Sequence, residues 1–235
     1  MIIAGMATIA SRTHLVKQAI ASLLPQIDKL YITLNGYTEV PSFVKRDKIE
    51  YRLDPKNSLA DNAKLLGVDN GPCYYLTVDD DIIYPKNYAS EMVKGIERHD
   101  RRAVIGVHGI IYKQPLLKYP NDRIVFGALK GLDRDRRVHA VGTGTAAFSI
   151  PEVPYTTADI PSQTRMIDVH LAGWCNKNGI EVYTISRPAG WLKMLDNGDI
   201  PSIWRRTIRD NPFRKSIKAA VKSYAPWPLL ENNET

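Results

Sequence analysis

Residues 73–81, CYYLTVDDD, join a run of strand-forming side chains directly to three consecutive aspartates. Aromatic and β-branched residues favour extended backbone, so this stretch predicts a strand that ends at the acids. Extended backbone places Asp79 and Asp81 on one side and Asp80 on the other. Adjacent carboxylates repel one another unless a cation lies nearby. The spacing therefore indicates a site for Mg²⁺ or Mn²⁺, which binds one or two carboxylates together with phosphate oxygens. A solvated acidic turn is the alternative interpretation.

Strands and helices alternate on both sides of this stretch. Apolar patterns predict strands over residues 1–10, 30–34, 49–53, 103–111, 138–150 and 180–185. They predict helices from Leu15 to just before Pro25, over 58–67, from Pro85 onward and over 164–178, the last of which ends at Gly179. This alternation predicts an α/β fold with a mostly parallel central sheet covered by helices on both faces. Such sheets bind ligands at the carboxyl ends of their strands, where the three aspartates lie.

Length and charge indicate one main domain followed by a basic extension. The chain has 235 residues, 44% of them hydrophobic, which excludes a disordered or fibrous protein. We expect the main domain over residues 1–200, with halves of about 1–100 and 101–200, and the extension over 201–235. Seven basic residues and one acidic residue lie between Pro201 and Tyr224, so most of the net charge of +7 belongs to the extension. Cys73 and Cys175 are the only cysteines, which predicts a reducing cytoplasm and no disulfide framework.

The extension contains a basic amphipathic helix over residues 214–224. Ile217, Val221 and Tyr224 share one face, and lysines lie opposite. The apolar face and Trp227 could insert into an anionic membrane surface, with residues 205–230 as the contact region. The same face could instead dock on the main domain or on another subunit. The sequence leaves these alternatives open.

Several segments resemble GT-A glycosyltransferases, most closely the family 2 enzymes that use nucleotide sugars. The segments, which span residues 1 to about 190, are IIAGMATIASR (2–12), LYITLNGYTE (30–39), LADNAK (59–64), YYLTVDDDIIYP (74–85), GTGTAAF (142–148) and MIDVHL (166–171) followed by NGI (178–180). They resemble, in order, the first strand and its turn, the strand beside the nucleobase, the helix before the metal motif, the strand that carries the DxD motif, the strand beside the acceptor and the helix that carries the catalytic base.

The resemblance implies a role for each site residue. The implied nucleotide-sugar-binding residues are Ala7, Arg12, Asn35, Asp61, Lys64, Asp79, Asp80 and Gly144. Asp79 and Asp81 would hold the metal, with His170 completing its shell, and Asp168 would be the base. The residues alone leave other uses open, because Asp168 also suits the first turn of a helix and His170 also suits a partly buried structural position.

The predicted function is that of an inverting, metal-dependent hexosyltransferase. It would move a sugar from a nucleotide sugar, with UDP favoured by the resemblance, to a glycan or lipid-linked saccharide in polysaccharide biosynthesis. We expect a cytoplasmic protein, peripheral at the inner face of the membrane, that could also oligomerise. One alternative is a DxD phosphohydrolase, but such enzymes carry this strand near the N-terminus. A second is a binder of nucleic acid or another anionic polymer through the basic extension, against which the three aspartates argue.

Overall fold

The computed structural model describes residues 1–196, 198 and 209–230. Its strands are β1 Ile2–Ile9, β2 Lys29–Asn35, β3 Ile49–Asp54, β4 Cys73–Val78, β5 Ile82–Ile83, β6 Ala103–Gly106, β7 Gly109–Tyr112, β8 Arg123–Phe126, β9 Arg136–Arg137, β10 Ala140–Val141, β11 Ala147–Ile150, β12 Glu181–Thr184 and β13 Lys193–Met194. Its α-helices are α1 Thr13–Leu23, α2 Tyr88–Arg98, α3 Ile167–Lys177 and α4 Asn211–Ser223. The alternating order confirms the predicted α/β class.

An eight-stranded sheet organises the chain, in the order β3-β2-β1-β4-β11-β6-β12-β9. The first four of these strands are parallel to one another, and β6 and β12 are also parallel. Strand β11 runs antiparallel to both β4 and β6, between which it lies. Strands β10, β7 and β8 form a separate antiparallel sheet, and β13 pairs with β5.

The two faces of the large sheet carry different helices. Met6 and Leu76 contribute to a core with α1 and α2, whereas Ile3 and Tyr75 contribute to a core with α3. Neighbouring strand residues therefore alternate between the two cores, as the period of two requires. The prediction of helices on both faces is correct.

Four predicted elements differ from the structure. Residues 58–67 form 3₁₀ turns over Ala60–Leu65 instead of an α-helix, and Ala60 has a φ of 47°, which a continuous right-handed helix does not allow. The stretches 103–111 and 138–150 each break into two strands, β6 with β7 and β10 with β11. Each pair divides between two sheets, so the chain must bend between its members. The helix predicted over 164–178 begins later, at Ile167, and Gly179 has the expected positive φ of 68°.

The described part of the C-terminal extension docks on the main domain. Ile217, Val221 and Trp227 are buried against Met166 and Val169, beside α3 and on it. Three backbone carbonyls fix the segment after α4: Asn176 Nδ2 donates to the carbonyls of Tyr224 and Pro226, and His139 Nε2 donates to that of Pro228 at 2.8 Å.

Docking therefore accounts for the apolar face of α4, and insertion of Trp227 into a membrane does not fit this structure because that ring is 6% exposed. Arg205, Arg206 and the boundary predicted at residue 200 lie outside the described residues. Across 1–196, 198 and 209–230, no helix has the length and hydropathy that a membrane span requires.

Candidate active site

The predicted site residues gather at one edge of the large sheet. Strands β1 and β4 are parallel neighbours, so their carboxyl ends meet there. Because β11 is antiparallel to β4, the loop that precedes β11 comes to the same edge, and Thr77 N donates to Ala146 O at 2.8 Å. The segment 142–146 is therefore placed directly beside the three aspartates.

The second and third aspartates share one arginine. Asp80 is buried, and its two oxygens accept from Thr8 Oγ1 at 2.7 Å and from Arg12 Nη1 at 2.8 Å. The same Nη1 lies 3.4 Å from Asp81 Oδ2. Burial raises the pKa of Asp80, against the opposing effect of Arg12. Burial would lower the pKa of Arg12, but the aspartates around it raise that pKa overall.

One part of the predicted arrangement is wrong, because Asp80 does not lie apart from Asp81. Alternation predicted Asp79 with Asp81 and Asp80 apart, but Asp80 and Asp81 both meet Arg12. The reason is that β4 ends at Val78 and the chain turns at residues 80 and 81, so the period of two no longer applies.

Asp79 pairs instead with a buried lysine. Lys64 is 7% exposed, and its Nζ forms an ion pair with Asp79 Oδ1. Burial alone would lower the pKa of Lys64, but Asp79, Asp168 and Asp61 together raise it, so the lysine stays charged. Its carbonyl accepts from Tyr75 Oη at 2.7 Å. That carbonyl also packs on β1 at Gly5, where a Cβ would lie only 1.9 Å away, and this contact explains the glycine.

Asp168 projects from the first turn of α3 toward the loop before β11. Its Oδ1 accepts from Thr143 N at 2.9 Å and from Thr143 Oγ1 at 2.6 Å. Asp61 holds the chain just before this helix, because its two oxygens accept from Arg165 N and Ile167 N. Burial raises the pKa of Asp61. The structure thus brings Asp168, Lys64 and Asp79 together and shows Asp61 bonded to backbone.

Gly144 allows the closest approach between the loop and the aspartates. A Cβ at this position would lie 2.2 Å from Asp79 Oδ2. Tyr84 fixes the distance between the two segments, since its hydroxyl accepts from Asp79 N at 2.8 Å and donates to Gly144 O at 2.9 Å. Sequence reasoning missed Tyr84 and Thr143. The GTGT segment contained the signal for Thr143, because its threonines alternate with glycines beside the site.

The remaining candidates lie at different distances from this centre. Asn35, at the carboxyl end of β2, is buried and donates to Ala60 O at 3.1 Å, while its Oδ1 has no hydrogen-bond partner. Ala7 is a partly buried residue of β1. Trp174 Nε1 donates to Asp159, and Trp191 Nε1 donates to Asn87.

His170 contacts the C-terminal extension in this structure, and its place in the metal shell stays a prediction. Its Nδ1 is hydrogen-bonded to Tyr224 Oη at 2.9 Å, and its Nε2 is buried without a partner. Positions 168 and 170 are separated by about 200° around a helix, so one faces the sheet edge when the other faces away. Burial lowers the pKa of His170.

The charges at the sheet edge suit a divalent cation. Asp61, Asp79, Asp80, Asp81 and Asp168 supply five carboxylates against the two cationic side chains of Arg12 and Lys64. Oxygen donors are those that Mg²⁺ and Mn²⁺ prefer. Within the described ranges, no group of three or more His, Cys, Asp or Glu side chains is placed to hold a metal. Two aspartates fit a cation whose remaining ligands are phosphate and water.

Comparison with known proteins supports the fold. No protein-family model matches the chain, and no curated protein matches it. The structure is similar to that of S. aureus TarS residues 1–349, with a TM-score of 0.52 and 12% identity over 95% of this chain and 70% of that chain. Apo-UDP-glucose pyrophosphorylase is less similar, with a TM-score of 0.42 and 12% identity over 86% of this chain and 87% of that chain. A197 from STIV has a TM-score of 0.35 and 15% identity over 73% of this chain and 95% of that chain.

The chain has a GT-A-like fold. This finding confirms the resemblance that the sequence segments indicated. The fold is of the kind found in nucleotide-sugar-utilising glycosyltransferases.

Proposed function

We propose that this protein is an inverting glycosyltransferase that takes a sugar from a nucleotide sugar, with UDP as the favoured nucleotide. One observation carries the proposal. In a GT-A-like fold, Asp168 and the paired Lys64 and Asp79 interact electrostatically at the carboxyl edge of the sheet, where such folds bind ligands.

The proposed reaction forms a bond between an acceptor oxygen and the anomeric carbon and breaks the bond from that carbon to the diphosphate. The electron pair of the broken bond leaves with the nucleoside diphosphate. Asp168 takes the proton of the acceptor hydroxyl through the oxygen that Thr143 does not hold. Lys64 and Arg12 supply positive charge for the diphosphate. Asn35 Oδ1, a buried acceptor without a partner, is suited to the N–H of a nucleobase.

Metal dependence forms part of this proposal. Asp79 and Asp81 would hold Mg²⁺ or Mn²⁺, which when bound stabilises the charge of the leaving diphosphate. The excess of carboxylates over cations at the sheet edge supports this assignment. The acceptor would be a glycan or a lipid-linked saccharide, and the transferred sugar a hexose.

Thermal unfolding with UDP, GDP, CMP and dTDP, each with and without Mn²⁺, tests the proposal. A nucleotide at 100 times its dissociation constant stabilises a fold by about 2.7 kcal/mol, which is several degrees for a chain of this size. We expect a metal-dependent shift with UDP that is lost in Asp81→Ala. Absence of a shift with every nucleotide, in a folded protein, would contradict the assignment.

A further inference from the structure

A group of polar, cationic and aromatic side chains surrounds Asp168 on the side of the small sheet. His108 packs on the loop before β11, because a Cβ on Gly142 would lie 3.4 Å from it, and the next residue, Thr143, is bonded to Asp168. The charge of Asp168 also raises the pKa of Tyr112 and of Tyr119, together with their burial. Tyr112 stands directly opposite Arg123 in the β7–β8 pair. The guanidinium of Arg123 lies 4.9 Å from the centre of the Tyr119 ring.

His108 connects this group to the loop that holds Asp168. Its carbonyl accepts from Gly142 N at 3.0 Å, one residue before Thr143. Its ring makes no hydrogen bond to any described residue. The charge of Asp168 raises the pKa of this ring, and the charges of Arg123 and Arg187 lower it. Burial lowers the pKa of His108, so the ring is neutral near pH 7 and can donate from one nitrogen and accept at the other.

Arg187 is a buried cation that forms no ion pair with a described carboxylate. It is 6% exposed and donates to four neutral oxygens, Thr184 Oγ1, Ile185 O, Phe126 O and Gly127 O. Its Nε has no partner. Burial lowers its pKa to about 10, which means that its environment does not compensate its charge. An anion nearby would offset this cost.

The surface that leads to this group is basic. Residues 107–131 contain four basic residues and one acid, a net charge of +3. Lys113 and Lys118 are exposed there, and Lys218 of α4 donates to Leu117 O beside them. On the other side of Asp168, where Asp79, Asp80 and Asp81 lie, carboxylates outnumber the cationic side chains of Arg12 and Lys64. The two sides of Asp168 therefore favour different ligands, a cation with the diphosphate on one and an anion on the other.

We propose that His108, Tyr119 and Arg123, backed by the charge of Arg187, form an acceptor subsite for a saccharide that carries phosphate or carboxylate groups. The Tyr119 hydroxyl and the His108 ring are suited to sugar hydroxyls, and Arg123 is suited to the anionic group. Tyr112, which is 2% exposed, lies behind the subsite, opposite Arg123 in the β7–β8 pair. The acceptor hydroxyl would then meet Asp168 between the subsite and the donor. This assignment rests on the proposed function, whose acceptor it specifies.

Affinity electrophoresis in native gels tests the subsite without any need for activity. The embedded probes are phosphomannan, polygalacturonate and neutral mannan, at 150 mM NaCl. We expect one or both anionic polymers to retard the protein at least fivefold more strongly than mannan, and the polymer that does so identifies phosphate or carboxylate as the recognised group. Equal retardation by mannan, or no retardation by any probe, would overturn the inference.

Variants separate the subsite from the basic extension. Arg123→Gln should weaken retardation about tenfold, Arg123→Lys less, and His108→Gln, which removes no hydrogen bond from the described fold, several-fold. The matched control is the double variant Lys215→Gln/Lys222→Gln on the exposed face of α4, which should bind as the wild type does. Loss of binding in this control with retention in Arg123→Gln and His108→Gln would assign the polymer to α4 and refute the subsite.

The UDP and Mn²⁺ unfolding assay is run on the same proteins. A wild type that binds UDP but no anionic polymer refutes the subsite alone. A wild type that is retarded through Arg123 but binds no nucleotide refutes the proposed function and leaves an anion site.

Discussion

Gly144→Ala tests whether the loop before β11 sets the position of the first aspartate. The new Cβ would lie 2.2 Å from Asp79 Oδ2 and 2.8 Å from Asp79 Cγ. Ordinary van der Waals contact begins at 3.4 Å, so the carboxylate must retreat by about 1 Å, and the Lys64–Asp79 ion pair must break or deform. Loss of the contacts that orient a metal ligand typically costs about 10–100-fold in metal affinity. We therefore expect about 10–100-fold weaker Mn²⁺-dependent UDP binding.

Stability should also fall, because the buried Lys64 loses part of its ion pair, although the Asp79 side chain itself is 35% exposed and can turn toward solvent. The matched control is Gly142→Ala in the same loop, whose Cβ would meet His108 at an ordinary 3.4 Å. UDP binding is measured by calorimetry and the unfolding free energy by urea titration.

A double-mutant cycle isolates the contact between residues 144 and 79. If Asp79 transmits the effect, Gly144→Ala should weaken UDP binding no further in an Asp79→Ala background. An equal loss in both backgrounds, or wild-type binding by Gly144→Ala, would refute the reasoning.

Three further predictions concern the base and the docked extension. Asp168→Asn should lower kcat by about 10²–10⁴-fold while the affinity for UDP is retained. Thr143→Val, which removes one hydrogen-bond donor to the base, should lower kcat by about 10-fold. Loss of UDP binding in either variant would contradict a role in proton transfer. Trp227→Ala should lower the unfolding free energy by about 3–5 kcal/mol, because the ring is buried. The control Leu229→Ala, at a residue that is 90% exposed, should lower it by less than about 0.5 kcal/mol. Similar urea midpoints for the two variants would contradict the docking. His139 Nδ1 accepts a hydrogen bond from Tyr112 N, and burial lowers the pKa of this ring below 6.5. Its contribution to the unfolding free energy is therefore complete above about pH 6.5 and decreases as the pH falls below that value. Between pH 7.5 and 5.5 the unfolding free energy, measured in urea, should fall less in His139→Gln than in the wild type, and an equal fall in both would contradict this prediction.

The sequence was most informative where local pattern and topology agree. Strand-forming residues followed by acids placed β4 and its aspartates correctly, and the apolar spacing from Leu15 located α1. The family resemblance assigned Lys64 to nucleotide-sugar binding and Asp168 to the base, and in the structure the charges of the two side chains interact. The roles of these residues stay predictions.

Long-range contacts explain what the sequence did not predict. Asp80 and Asp81 share Arg12 because the chain turns after β4, and the alternation of a strand contains no sign of that turn. His170 is bound by Tyr224, which is 54 residues away, so no local pattern could indicate its partner. The split of residues 138–150 between two sheets likewise depends on neighbours from distant parts of the chain.

The antiparallel strand β11 has a mechanical consequence. It is the strand of the large sheet that connects the parallel block β3-β2-β1-β4 to β6, β12 and β9. Any relative rotation of the two blocks would have to shear the hydrogen bonds of β11, which lie next to the loop that holds both Asp79 and Asp168. The distance between the aspartates and Asp168 is therefore set when the sheet folds. Any movement on ligand binding would have to occur in the loops around the site.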